Sequence, residues 1–307
     1  MPELPEVETV RRGIARHVVG KRIGRVEVGR ERTVRRTSKE ALIDGLSGVR
    51  ITHVGRRGKY LLCSLDSGEQ MMIHLRMSGR VLVAEAGATR PPHTHVVMHL
   101  DADDSGPASE MWFVDPRTFG EVVVFDPQQA ATQMPELAKL GIDPIEDELT
   151  PQILRERLKG KRGSLKATLL DQHVVAGIGN IYADEILHRA RLSPRRIPGV
   201  LTLATCTRLC EAITHVLNKA IEAGGSTLED TQYVDIEGDT GWFQLEHRVY
   251  GRQACNVSPA KRHGFLARLL LDAPPVIALF ASVRPVSNAL QGHVFKYSRR
   301  LTCSLNR

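Results

Sequence analysis

The sequence predicts an α+β protein, an antiparallel β block followed by a helical block. Three observations carry that prediction. Residues 21 to about 126 break into short β-type runs separated by Gly and Asp clusters such as DSGE and DADDSG. Residues 150–223 instead carry apolar residues at helical spacing. A composition of 42% hydrophobic and 25% charged residues supplies ordinary core material and excludes a wholly disordered chain.

The first element expected is a helix from about Pro5 to Val18, where Val7, Val10, Ile14 and Val18 form one apolar stripe. Pro5 suits its first turn, where no amide hydrogen is needed. Glu6 and Glu8 lie near its positive end, and Arg11, Arg12 and Arg16 lie further on. The β runs follow as RIGRVEV, VRITHVG, KYLLCSL, QMMIHLRMSGRVLV, HTHVVMHL, EMWFVDP and FGEVVVF, readable as a sandwich or a barrel. Pro127, Pro135 and Pro144 mark residues 127–147 as an interdomain connection. Helices are then expected in PQILRERLKG, SLKATLLDQ, NIYADEILHRA and LTLATCTRLCEAITHVLNKAIEAG, with Gly224–Gly225 ending the last. Between the second and third, VVAGIGN is a glycine turn opening directly into a helix. A polar loop, TLEDTQYVDIEGDTGWF, follows Gly225, and the character changes again at Cys255.

At 307 residues the length suits two domains and an appended tail. No apolar run approaches the roughly 20 residues that span a bilayer, and the opening MPELPEVETVRRG is acidic where a signal peptide is basic. A cytoplasmic protein is expected. Five cysteines, Cys63, Cys206, Cys210, Cys255 and Cys303, are too few and too scattered for a disulfide framework. Cys206 and Cys210 share a helix face and read as core. The net charge of +7 invites a nucleic-acid reading, but its distribution qualifies it. From residue 255 onward eight Lys/Arg stand against one acid, Asp272, so that segment accounts for the whole excess. The body must hold any polyanion through local patches.

Pro2 follows the initiator Met, and a small second residue permits Met removal. The product is a secondary amine with a pKa near 8 in the open, lowered further beside a helix N-terminus. Such an amine attacks an anomeric carbon to give an iminium directly, and Glu3 is adjacent as a general acid or base. The plain alternative is that Pro-Glu only introduces a helix. In KGKRGSLK, Lys161, Arg162 and Lys166 read either as a solvated face or, beside the glycine turn, as part of a phosphate site.

MPELPEVETVRRG resembles the N-terminal signature of bacterial formamidopyrimidine-DNA glycosylases. GRRGKYLL (55–62), MIHLRMSG (72–79), HTHV (93–96), DPRTFG (115–120), LLDQHVVAGIGNIYADEIL (169–187) and TGWFQLEHRVYGR (240–252) extend the resemblance in order over residues 1–254. It implies a base-excision repair enzyme with glycosylase and abasic-site lyase activity on oxidised purines. The implied fold is an N-terminal β-sandwich and a helix-two-turn-helix domain, with double-stranded DNA as partner and the protein a monomer. Domain limits of 1–126, 127–147, 148–254 (including a lesion-side loop) and 255–307 follow. The resemblance makes Pro2 the Schiff-base nucleophile, Glu3 the acid that protonates the opening deoxyribose, and Lys59 the lysine of β-elimination. It makes Met77, Arg117 and Phe119 the residues that fill the gap left by an everted nucleotide. His93, Arg117, Lys161 and Asn180 match DNA-contacting positions. Lys59 also reads as a solvated strand lysine, and Phe119 as ordinary core.

The C-terminus departs from the family, whose members usually end in a zinc finger of two C-x2-C pairs. Cys255 is a plausible first ligand, but Ser258 stands where the second belongs, and no C-x2-C follows. No cofactor is therefore expected, and 255–307 reads as a divergent basic tail, a break suggestive of a changed reading frame. The competing expectation is a damaged-DNA-binding protein that has lost turnover with its finger.

Overall fold

The computed structural model describes residues 1–103, 106–227, 233–236 and 238–252. Helix α1 (Leu4–Val18) comes first, with Pro5 in its first turn as the sequence predicts. Strand β1 (Ile23–Val28) is followed by helix α2 (Lys39–Leu46) and then by β2 (Ile51–Arg57), β3 (Tyr60–Leu65), β4 (Gln70–His74), β5 (Arg80–Glu85), β6 (Thr94–Leu100), β7 (Ser109–Val114) and β8 (Glu121–Phe125). All pairings are antiparallel, in two four-stranded sheets of order β1-β6-β7-β5 and β2-β3-β4-β8. One core joins them: Val26, Val96, Met98, Met111 and Phe113 from the first sheet cluster with Val54, Leu61, Cys63, Met71 and Ile73 from the second. That is the sandwich option. Period-two alternation sends Tyr60 and Met72 to the other face, where Met134 and Leu137 of the connection cover them.

Two expectations need correction. Helix α2 falls inside the block read as purely β. Ser38 caps it by accepting the Ala41 amide, and Leu42 and Leu46 are buried in the sandwich core. With only two apolar turns it carries too little periodicity to announce itself. The run QMMIHLRMSGRVLV is not one strand but β4 and β5, in different sheets. Between them Arg76 takes a left-handed conformation (φ 52°) and the Gly79 amide bonds the Leu75 carbonyl, closing a turn.

The connection holds two helical turns, α3 (Ala130–Gln133) and α4 (Pro135–Ala138), and Ile142 bridges to Val175. The helical half comprises α5 (Pro151–Leu158), α6 (Leu165–Leu170), α7 (Asn180–Ala190) and α8 (Leu203–Glu222). Thr150, Ser164 and Thr202 cap α5, α6 and α8. On α8, Cys206, Leu209, Cys210, Ile213 and Leu217 form the buried stripe, so both cysteines are core as expected. Helix α1 belongs to both halves. Leu4 is buried in the helical core, while Val7, Val10, Ile14 and Val18 are buried in the sandwich core. No helix of the described residues is long and apolar enough to cross a membrane.

Candidate active site

The N-terminus is pinned between the two halves. The Leu4 amide donates to the Gly177 carbonyl at 3.0 Å. The Glu3 carboxylate accepts from the amides of Gly179 (2.7 Å), Ile181 (3.0 Å) and Tyr182 (3.4 Å), the first turn of α7. The glycine turn is therefore an anion site, but its occupant is a carboxylate of the same chain rather than an external phosphate. The glycines make room for it. A Cβ on Gly177 would lie 2.5 Å from Leu4 Cδ1, and one on Gly179 would lie 2.3 Å from Glu3 Cδ. Pro2 is buried beside this clasp, with Met1 partly exposed outside it.

Burial raises the Glu3 pKa, while the Lys59 charge and the three amides work the other way. Lys59 is only 6% exposed, so the solvated-lysine alternative fails. Burial lowers its pKa, and the charges of Glu3 and Glu6 oppose that. The turn carrying it is braced from outside the strands. Asp143, in the connection, accepts the Gly58 amide at 2.7 Å and pairs with Arg56 at 2.6 Å, and Arg56 in turn donates to the Gly58 carbonyl. Pro2, Glu3 and Lys59 thus form one buried neighbourhood.

Glu6, read from the sequence only as a helix-dipole residue, is the centre of a second buried set. It accepts from the Glu3 amide (2.8 Å), the Tyr182 hydroxyl (2.5 Å) and the Ser226 amide (2.7 Å). The Ser226 hydroxyl lies 3.1 Å from His247 Nε2. The signal for Glu6 was its spacing: a carboxylate three residues after the cap reaches back to the cap amide. Tyr182, Ser226 and His247 gave none, because nothing local ties them to Glu6. Burial first, and then the Glu3 charge, push the Glu6 carboxyl up to about 7.

This shift predicts a pH dependence with a definite sign. Between about 4.5 and about 7 the folded state holds a proton on Glu6 that the unfolded chain has lost, so stability falls as pH rises through that window. The full effect is on the order of 3 kcal/mol. Glu6→Gln is expected to flatten this slope in urea unfolding followed from pH 5 to pH 8. Parallel curves for the two proteins would show that Glu6 ionises normally.

The remaining predicted residues fall into two groups. Met77 and Phe119 are 41% and 43% exposed on the 75–79 and 115–120 loops, so Phe119 is not core. Arg117 and His93 are exposed close by, tied through Asp115: its amide bonds the His93 carbonyl and its carboxylate accepts the Arg117 amide. Lys161 and Asn180 lie in the helical half. Asn180 is exposed at the head of α7, and Lys161 pairs with Asp171 at 3.3 Å. Lys166 does not extend a phosphate site. It is 8% exposed and neutralised by Asp184 at 2.7 Å, a partner 18 residues away that charge counting could not supply. Among the described residues no His, Cys, Asp and Glu cluster is arranged to hold a metal. Cys255 and the zinc expectation lie outside them.

Residues 1–122 match the model of the formamidopyrimidine-DNA glycosylase N-terminal domain, and residues 140–232 match that of its H2TH domain. A formamidopyrimidine-DNA glycosylase of Carboxydothermus hydrogenoformans is 42% identical over 252 residues, 82% of this chain and 89% of the relative. The chain belongs to the formamidopyrimidine-DNA glycosylase family. Membership makes it a base-excision DNA glycosylase with the two-part α+β fold described above. The Symbiobacterium thermophilum glycosylase is 45% identical, covering 82% of this chain and 80% of its own. Among solved structures, the Lactococcus lactis glycosylase bound to DNA containing an abasic site superposes with a TM-score of 0.72 at 34% identity. It covers 81% of this chain and 88% of the other. A mutant of the Lactococcus lactis protein bound to DNA containing Fapy-dG gives a TM-score of 0.74 at 33% identity, covering 84% and 91%. The glycosylase fold in this chain thus brings Glu3 and Lys59 together at the N-terminus, with the exposed Met77, Arg117 and Phe119 on loops of the same sandwich.

Proposed function

We propose that this glycosylase excises 8-oxoguanine and formamidopyrimidines from duplex DNA and then cleaves the abasic strand. Pro2 is the nucleophile, Glu3 the acid and Lys59 the base. The observation that carries this reading is the buried neighbourhood at the N-terminus. Glu3 is fixed by three amides next to Pro2, and the charge that acts on it is that of Lys59, a lysine whose pKa burial has lowered. Once Met1 is removed, the Pro2 nitrogen attacks C1′ and the base leaves with the electrons of the glycosidic bond. Glu3 delivers a proton to the ring oxygen as the sugar opens, leaving an iminium on Pro2. Lys59, its ammonium destabilised by burial, takes the C2′ proton, and the 3′ phosphate departs in β-elimination. Water then releases the sugar. Met77, Arg117 and Phe119 enter the space of the everted nucleotide, and His93, Lys161 and Asn180 contact the backbone. The partners are double-stranded DNA bearing such lesions or abasic sites, and the site of action is the bacterial cytoplasm.

Borohydride trapping on DNA containing 8-oxoguanine tests the assignment. A covalent adduct is expected with wild type and is expected to vanish in Pro2→Gly. Lys59→Ala should slow strand cleavage while leaving some adduct, since Pro2 supplies the attacking amine. Trapping lost as completely in Lys59→Ala as in Pro2→Gly would show the two roles to be misassigned. The missing C-x2-C pairs favour a second reading, a damage-binding protein without turnover, and that reading is supported if wild type binds but leaves no adduct. Because only Cys255 of the finger pattern is present, a chelator is expected to leave activity unchanged and incision to stop mainly at the β-product. Stoichiometric zinc in the purified protein would overturn that expectation.

A further inference from the structure

Among the described residues, three of the four non-glycine residues in the left-handed region lie in segments that bear the exposed site residues: Arg76 (φ 52°), His93 (φ 68°) and Thr118 (φ 54°). Side-chain-bearing residues hold that conformation only where surrounding contacts over-determine it. The Arg76 amide bonds His74 Nδ1, and for His93 and Thr118 one residue, Asp115, supplies such contacts. Asp115 has no exposed surface, and all of its polar atoms are engaged. Its amide donates to the His93 carbonyl, and its carbonyl accepts from the His95 ring and the Thr118 amide. One carboxylate oxygen accepts the Ser78 hydroxyl at 2.5 Å and the Arg117 amide at 3.2 Å, and the other accepts the Gly120 amide at 2.7 Å. Ser78 follows Met77, and Gly120 follows Phe119.

We propose that Asp115 is a positioning residue that locks the 75–79 and 115–120 loops into one block, so that Met77, Arg117 and Phe119 enter the duplex together. The proposal rests on the reading of those three as gap-filling residues. Met77 reaches the block through the Ser78 hydroxyl alone among the bonds to the carboxylate. Backbone amides hold the other loop. Gly120 keeps the loops in register from the far side, because a Cβ there would meet the His74 carbonyl at 2.9 Å. A carboxylate suits the task because three donors converge on it. An asparagine would turn a donor toward one of them.

The test uses full-length protein and duplex DNA with 8-oxoguanine opposite cytosine and 2-aminopurine beside the lesion, whose fluorescence reports unstacking. Ser78→Ala removes the hydroxyl that ties the Met77 loop to the Asp115 carboxylate and leaves the backbone bonds of the other loop in place. It is expected to slow the fluorescence rise about tenfold, the factor for losing one charge-assisted hydrogen bond. Borohydride trapping on a single-stranded abasic oligonucleotide, where no stack must be filled, is expected to stay at the wild-type level. In a Met77→Ala background Ser78→Ala should add nothing, because its effect passes through Met77. If Met77→Ala slows the rise and Ser78→Ala does not, the proposal fails and the gap-filling reading stands. If Met77→Ala leaves the rise unchanged, that reading fails and takes the proposal with it. A parallel loss of single-stranded trapping in Ser78→Ala would mark Ser78 as a general structural residue and also overturn the proposal.

Discussion

Gly179→Ala is expected to lower excision by about a hundredfold or more, although the substituted residue bears no reacting group. Its backbone is extended (φ −128°), so no conformational penalty attaches to the substitution. The conflict is purely one of space. The new Cβ would lie 2.3 Å from Glu3 Cδ and 2.4 Å from Oε1, and the carboxylate cannot yield without leaving the amides of Gly179, Ile181 and Tyr182. Displaced from them, Glu3 loses both its position beside Pro2 and the hydrogen bonds that oppose its rise in pKa. Excision by Gly179→Ala, Glu3→Gln and the double variant checks the argument. If the glycine acts through Glu3, the second substitution costs little once the first is present. Wild-type excision by Gly179→Ala would show that the clasp is not needed.

Asp143→Ala is expected to have the largest effect on stability. Arg56 and Asp143 have no exposed side-chain surface, and among the described residues the other acids that Arg56 reaches are Glu8, at 3.2 Å, and Glu146, at 3.5 Å. Removing one partner of such a pair strands a buried charge, at a cost of about 3–5 kcal/mol. For a protein of this size that corresponds to a fall of roughly 10 °C in Tm. Activity should fall further than stability explains, because Asp143 also holds the Gly58 amide and with it the turn that carries Lys59. Thermal unfolding and strand cleavage measured on Asp143→Ala and on the apolar pair Arg56→Met/Asp143→Leu separate the two effects. The pair should regain much of the Tm but not the cleavage. A single variant as stable as wild type would refute the buried-charge argument.

The parts legible in the sequence were those that depend on local spacing. The stripe of α1, the helical spacing of α5 to α8 and the short β runs are each set within a few residues, and apart from QMMIHLRMSGRVLV they formed where expected. The motif resemblance located Pro2, Glu3 and Lys59, and folding brings the acid and the lysine into one buried neighbourhood. What escaped was decided across distance. The glycine turn before α7 looked like a phosphate cradle because its amides do bind an anion, but the anion lies 176 residues away in the chain. Lys166 looked like available charge until Asp184 folded against it. Asp115 and Asp143 carried no local signal, since the donors that converge on each come from separate segments.

The placement of α1 in both cores bears on how the protein is made. The end of the chain that carries Pro2 leaves the ribosome first, yet the amides that hold Glu3 belong to Gly179, Ile181 and Tyr182. At about 5–20 residues per second, translation needs roughly 9 to 36 seconds to reach them. Through that interval the nascent sandwich has its apolar stripe to pack but no anchor for Leu4 or Glu3. The amine proposed as the nucleophile is thus translated early, and the helical half that completes its surroundings comes late. Truncated products that stop within the sandwich would carry Pro2 without the amides that hold Glu3 beside it.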